Sequence, residues 1–321
     1  MTGNHPLYKI ILVLIALTAI VFRLAEPARA AAANSGQIAI LLSDSSEAYL
    51  QQATAFKEEV ILPCQLFDLQ GDIQRDPGLK DRLFASRPAL IYALGAKAAY
   101  AAKLWTKDHQ EIPVIFAMVL NWQRYNLLDN NHNIVGIAAE VAPGTQFANL
   151  TMFSPTVKRI GLLYSPYSTQ ILTQAKKDAA LLGLELVTEP INNSEDFQLG
   201  FKKLSGKIDA FWVLNDPIIY TLNNMDWLEN RCLREKLLCV GQSKNLAIKG
   251  MVLTVNPDNN QIAAQASAIT KNILSHTQKT SNLEVMAPLG TQLLVNRKTA
   301  QHIGLTLSPQ ALSIATSVID Q

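Results

Sequence analysis

Polar residues able to hold a small molecule recur in this chain directly after apolar runs. "LLSDSSEAY" places Asp44, Ser45 and Ser46 after the first run, "YALGAK" places Gly95 and Ala96, and "FAMVLNW" places Asn121. Further on, "LLYSPYSTQ" adds Ser165, Tyr167 and Ser168, "VLNDPIIY" adds Asn215 and Asp216, and "VGQSKN" adds Gln242. Such side chains donate and accept hydrogen bonds, which suits recognition of a solute. Asp216 is the expected acceptor for a ligand's amino group, because Pro217 disfavours helical geometry before it and supports an extended turn. The alternative is that Asp216 only caps that turn. N–H groups near Gly95 and the hydroxyls of Ser45 and Ser168 would hold an acidic end. The helix that starts after Gly95 has no Ser, Thr, Asp or Asn in front of it. Its first N–H groups and partial positive charge await either a carboxylate or water.

Covalent chemistry has no comparable support. The five histidines, His5, His109, His132, His276 and His302, are isolated and show no HExxH spacing. "GQSKN" lacks the second Gly of a nucleophile elbow. "GFKKLSGK" has one residue too many for a phosphate loop, and Ile208 follows where Ser or Thr is needed, so it reads as a helix end and turn. No GxGxxG follows the first strand. We therefore expect no catalytic residue, no metal and no cofactor.

The elements that must position these polar groups alternate between apolar runs and helical patterns. "QIAILLS", "CQLFDL", "ALIYALG", "IPVIFAMV" and "NIVGIAAE" form one set of strands. Rich in Ile, Leu and Val and without polar alternation, they suit strands covered on both faces, as in parallel sheets. After a Pro/Gly break at Val141–Thr145, "KRIGLLYS", "LELVTEP", "IDAFWVLND", "LLCVGQS" and "GMVLTVNP" form a second set. A helix over Asn260–Ser275, the strand "TQLLVN" and a final helix reaching about Val318 complete the chain. Two sets joined by short connections imply two doubly wound α/β domains. In open sheets of this kind ligands bind beyond the carboxyl ends of the strands, where the polar groups fall.

The N-terminus reads differently. Lys9 precedes the apolar run "IILVLIALTAIVF", and Ala28-Arg29-Ala30 fits a small-x-small cleavage site. That layout is a secretory signal peptide over residues 1–30, cleaved near Ala30, with a periplasmic product. A retained anchor is the alternative, although a membrane span needs roughly 20 apolar residues. Removing Lys9, Arg23, Arg29 and Glu26 takes Lys+Arg from 28 to 25 and Asp+Glu from 26 to 25. The mature chain is then electrically neutral, and no nucleic-acid partner is expected. Of the three cysteines, Cys64, Cys232 and Cys239, the last two flank a helix-to-strand turn, where a local disulfide and two buried thiols are both open readings.

The order of "LIYALGAKAAYAA", "IPVIFAMV", "NIVGIAAEVAPGTQFANLTMFSPTVKRIGLLYSP", "VLNDP" and "LLVNRKTAQHIGLTLSPQALSIATSVI" resembles the ABC-transporter substrate-binding proteins of the periplasmic binding protein type 1 class. The resemblance runs nearest the branch with tryptophan- and aromatic-amino-acid-binding members. It implies two Rossmann-like lobes around a hinge, a ligand in the cleft between them, and no catalysis. Lobe 1 would hold residues 36–141 and about 255–286, lobe 2 residues 142–254 and about 287–321. The implied partners are a small molecule, an amino acid or related compound, and an ABC permease, with the protein acting as a monomer. Two departures point either to a ligand other than the family's better-known amino acids or to a remodelled cleft: Gln261 stands near a customary Gly, and "VLNW" lacks a customary Asp-Pro. A ligand sensor presenting its lobes to a membrane receptor or kinase is the rival use of the fold; an enzyme ranks below both.

Overall fold

The computed structural model describes residues 36–320, so the expected signal peptide lies outside the described residues. Two sheets organise the chain. The first has five parallel strands in the order β2–β1–β3–β4–β5, comprising β1 (Ile38–Leu42), β2 (Cys64–Asp68), β3 (Leu90–Leu94), β4 (Val114–Val119) and β5 (Ile134–Ala138). Between them run α1 (Glu47–Val60), α2 (Leu79–Ala85) and α3 (Ala96–Trp105). Both faces of the sheet are covered, which accounts for the unbroken apolar runs. In β1, Ile38, Ile40 and Leu42 face Phe56 of α1, while Ala39 and Leu41 face Leu83 of α2 and Ala98 of α3. All five β1 residues are fully buried.

The second sheet has seven strands in the order β12–β11–β10–β9–β8–β6–β7. These are β6 (Arg159–Tyr164), β7 (Glu185–Pro190), β8 (Ala210–Trp212), β9 (Leu238–Gly241), β10 (Leu253–Pro257), β11 (Thr291–Asn296) and β12 (Ser317–Ile319). Its pairs are parallel except β10 with β11. The helices α4 (Pro143–Phe153), α5 (Gln170–Leu181), α6 (Phe197–Leu204), α7 (Leu222–Glu235) and α8 (Lys244–Ile248) belong to this half. The helix α9 (Asn259–Leu274) returns to the first half, placing Ile262, Ala263 and Ala266 beside Phe56 of α1. The chain therefore passes between sheets near residues 139–142, after Pro257, and again before β11. Because β10 extends to Pro257 within the second sheet, the return starts slightly later than residue 255. At the first passage, Gln146 accepts from Trp212 Nε1 at 2.8 Å and donates to the Val141 carbonyl at 2.6 Å, tying the connection to the second core.

The C-terminus corrects the expected helix to Val318. Two short helices stand there, α10 (Arg297–His302) and α11 (Pro309–Ile314), followed by strand β12. Gly304, at φ +80°, takes the left-handed turn that ends the first. Ser308 then caps the second through Ala311 N at 3.0 Å, with Pro309 at its first position. Cys232 and Cys239 form a disulfide joining α7 to β9, which decides between the two readings of that pair; Cys64 is free.

Candidate functional site

The carboxyl ends of the parallel strands of both sheets open onto a common set of crevices. One, of about 400 Å³, is lined by Asn121, Gln123 and Glu140 from the first half and by Ser168, Ile171, Leu214, Asn215 and Gln242 from the second. Asn215 and Gln242 also line a wider cleft of about 1070 Å³, opposite Asp44, Ser46, Tyr49 and Met118. A third crevice, of about 690 Å³, is more apolar and includes Leu120, Tyr167, Asp216, Tyr220 and Met225. Asn215, on the turn after β8, lines all three.

The residues expected to bind ligand divide clearly. Asp44, Ser46, Asn121, Tyr167, Ser168, Asn215, Asp216 and Gln242 border the crevices. Ser45 is exposed and its hydroxyl donates to Asp68. Ser165 is buried and committed to Asp216, 2.7 Å from its Oγ.

Gly95 and Ala96 are not open to a ligand in this arrangement. The Ser43 hydroxyl, at the end of β1, accepts from Ala98 N at 3.0 Å and so caps α3 from another strand. Gly95 itself is at φ +86°, and a Cβ there would collide with the hydroxyls of Tyr49 and Ser43. Glycine is required because the backbone is left-handed and Tyr49 lies directly over it.

Asp216 holds its turn. It is 2 % exposed; Oδ2 accepts from Ser165 N (3.1 Å), Ser165 Oγ (2.7 Å) and Ser168 Oγ (2.5 Å), and Oδ1 accepts from Ile218 N (3.1 Å). With three donors on Oδ2 and one on Oδ1, this carboxylate pins the β6–α5 turn to the β8 turn, as the capping alternative expects.

Glu140 is the carboxylate that sequence reasoning missed. It follows β5, at the same carboxyl edge as the residues that were chosen, and the rule that picked Asp44 and Asp216 would have picked it. Its Oε2 accepts from Asn121 N at 2.9 Å. Burial pushes its carboxyl above the usual carboxylate range, opposed by the Asn121 N–H and the Asn215 side chain. The Gln242 Oε1 atom is buried without a hydrogen-bond partner among the described residues. Nearby, β4 carries a register shift between Phe116 and Val119, with Met118 at φ 58°. The bulge turns a central strand where Met118 enters the wide cleft.

The two halves also touch across the crevice. Asn121, itself left-handed at φ 47°, donates from Nδ2 to the Tyr167 carbonyl at 2.6 Å. The Arg124 guanidinium lies over the Tyr167 ring, 3.6 Å from its centroid. Burial also raises the Tyr167 hydroxyl's pKa. Among the described residues, no group of three His, Cys, Asp or Glu side chains is placed to hold a metal ion.

Known proteins share this architecture. The chain is 21% identical over 243 residues to a tyrosine-binding protein of Clostridioides difficile, covering 74% of this chain and 69% of that protein. Its fold matches a ligand-free, open substrate-binding protein with adhesive properties from Clostridium difficile, at a TM-score of 0.73 and 19% identity, over 89% of this chain and 100% of that one. It also matches an ABC domain from Streptococcus pneumonia in complex with L-Trp, at a TM-score of 0.60 and 20% identity, over 88% and 100%. The family model for ABC transporter substrate binding proteins matches residues 64–319. With two α/β lobes, strand ends facing a shared cleft and a family match over most of its length, the chain belongs to the ABC transporter substrate-binding proteins of the periplasmic binding protein type 1 fold.

Proposed function

We propose that this protein is exported, captures a small molecule bearing an amino group, an amino acid or related compound, and delivers it to an ABC permease. The observation that carries this reading is the crevice whose walls come from separate sheets, with Glu140 on one side and Asn215 and Gln242 on the other. Lobes 36–141 with 258–286, and 142–257 with 287–320, would rotate about the three passages between sheets. A relative that is a tyrosine-binding protein and a fold neighbour holding L-Trp support the ligand class. The reading assigns no catalytic step, and a single chain suffices for it.

Export is supported by the Cys232–Cys239 disulfide, since such bonds persist in oxidising compartments. Among the described residues no helix is long and apolar enough to cross a membrane. N-terminal sequencing of the protein from the envelope fraction is expected to begin near Ala31. A product that retains Met1 and stays in the membrane pellet would contradict cleavage.

Binding is testable by a thermal-shift screen against amino acids, amines, purines and small organic acids. A solute at 100 times its dissociation constant stabilises the folded state by about 2.7 kcal/mol, which raises the melting temperature by several degrees. No shift with any member of a broad panel overturns the solute-binding reading.

A further inference from the structure

Besides the passages between sheets, the two halves meet where one short segment of the first reaches the second. The turn after β4 is bracketed by Asn121 at φ 47° and Asn126 at φ 46°, with one turn of 3₁₀ helix, Trp122–Tyr125, between them. Asparagine is among the few residues that enter the left-handed region readily, so the sequence itself supports this tight reversal. Both ends are fastened to the first half. The Asn121 N–H donates to Glu140, and Lys103 Nζ donates to the Asn126 carbonyl. The Trp122 ring lies 6.3 Å from the Phe116 ring, and Leu127 is buried in the same core. The segment is therefore a braced projection of the first half.

Two of its side chains end on the second half. Asn121 Nδ2 donates to the Tyr167 carbonyl at 2.6 Å, and the Arg124 guanidinium covers the Tyr167 ring at 3.6 Å. The receiving turn is equally fixed. Tyr167 N donates to Ser165 Oγ at 3.0 Å, and Asp216 accepts from the hydroxyls of Ser165 and Ser168 on either side. A further bridge runs from the Asn215 side chain to Glu140. These bonds join groups of the chain itself, so no solute atom is needed to make them. Arg124 differs from its neighbours. It is exposed, it lines none of the three crevices, and among the described residues it makes no ion pair.

We propose that Asn121 and Arg124 form a clasp on the Tyr167 turn that holds the two lobes together through the chain's own contacts, with Arg124 setting its strength. Separating the lobes by more than about 1 Å at this point breaks the Asn121 bond and uncovers the ring. A solute's apparent dissociation constant is its intrinsic value divided by the fraction of molecules in the competent arrangement. By raising that fraction before a solute arrives, the clasp tightens binding without touching the solute. A cation over a ring at an exposed site shifts such an equilibrium about two- to fivefold. The effect on affinity rests on the proposed solute-binding reading; the effect on lobe spacing does not.

Interlobe distances from paired spin labels test the clasp with no solute added. Lys80 on α2 and Lys176 on α5 are exposed, and Lys80→Cys with Lys176→Cys in a Cys64→Ser background carries one label on each lobe. In this parent, Arg124→Ala is expected to shift the balance of the distance distribution toward wider separations by at least twofold. Arg124→Lys, which keeps a cation near the ring, should shift it less. Arg124→Glu, which sets a carboxylate against the negative face of the ring, should shift it more. An Arg124→Ala distribution that matches the parent overturns the proposal. So does a shift toward narrower separations, or an Arg124→Glu distribution narrower than that of Arg124→Ala. The solute-binding reading stands in each case, because no solute enters the measurement.

Discussion

Glu140→Gln is expected to weaken binding of an amino-bearing solute by roughly ten- to a hundredfold, with little change in melting temperature. The substitution keeps the shape of the side chain and removes its charge. A hydrogen bond to a charged group contributes about 1.5–3 kcal/mol, and each 1.4 kcal/mol is tenfold in affinity. The fold loses little, because burial already disfavours the ionised carboxyl in the free protein. The same fact sets the pH dependence. Its pKa is raised, so the carboxylate that an ammonium needs is complete only above that raised value. Affinity should fall as pH drops through it, at a higher pH than an exposed Glu would give. Tyr167 and Arg124 of the rim share this neighbourhood, with the Asn121 N–H and Asn215 as direct partners. Titrations across pH with the unaltered protein and Glu140→Gln check the assignment: the variant should bind weakly at every pH. A variant with unchanged affinity would remove Glu140 from the site.

Asp216→Ala should do the reverse. Removing the carboxylate strands the hydroxyls of Ser165 and Ser168 and the N–H groups of Ser165 and Ile218 in a buried turn. Unsatisfied buried groups of this kind cost about 2–3 kcal/mol together, which lowers the melting temperature by roughly 5–10 °C. Affinity of the folded protein should stay within about threefold, because the four hydrogen bonds that Asp216 accepts all come from its own lobe. Asp216→Asn, which keeps an acceptor, should recover part of the loss. An unchanged melting temperature with a tenfold loss of affinity would return Asp216 to the ligand.

The contrast between these two acids shows what the chain's letters carry. Strands buried on both faces announce themselves, since Ile38–Leu42 must be apolar at every position to satisfy two layers of helices. Partners distant in sequence do not. The cap of α3 is Ser43, 55 residues before Ala98, so no window around Gly95 reveals it. Whether a carboxylate is free or spent depends on such distant partners; Asp216 and Glu140 look alike in sequence and differ in what surrounds them. The bulge at Met118 has no local signal, because it arises from register against β5. The split C-terminal helix did have one: Gly304 and Ser308-Pro309 form a stop followed by a start.

The central claim is that a solute sits between the two sheets, and Asn215 offers its most direct test because that residue borders all three crevices. Calorimetric titration of the unaltered protein and of Asn215→Trp should use the solute that gives the largest thermal shift. The predicted result is a single site per chain in the unaltered protein and at least a hundredfold loss in the variant, whose folded state is confirmed by an unchanged circular dichroism spectrum. Undiminished binding by folded Asn215→Trp would place the solute elsewhere and contradict the account.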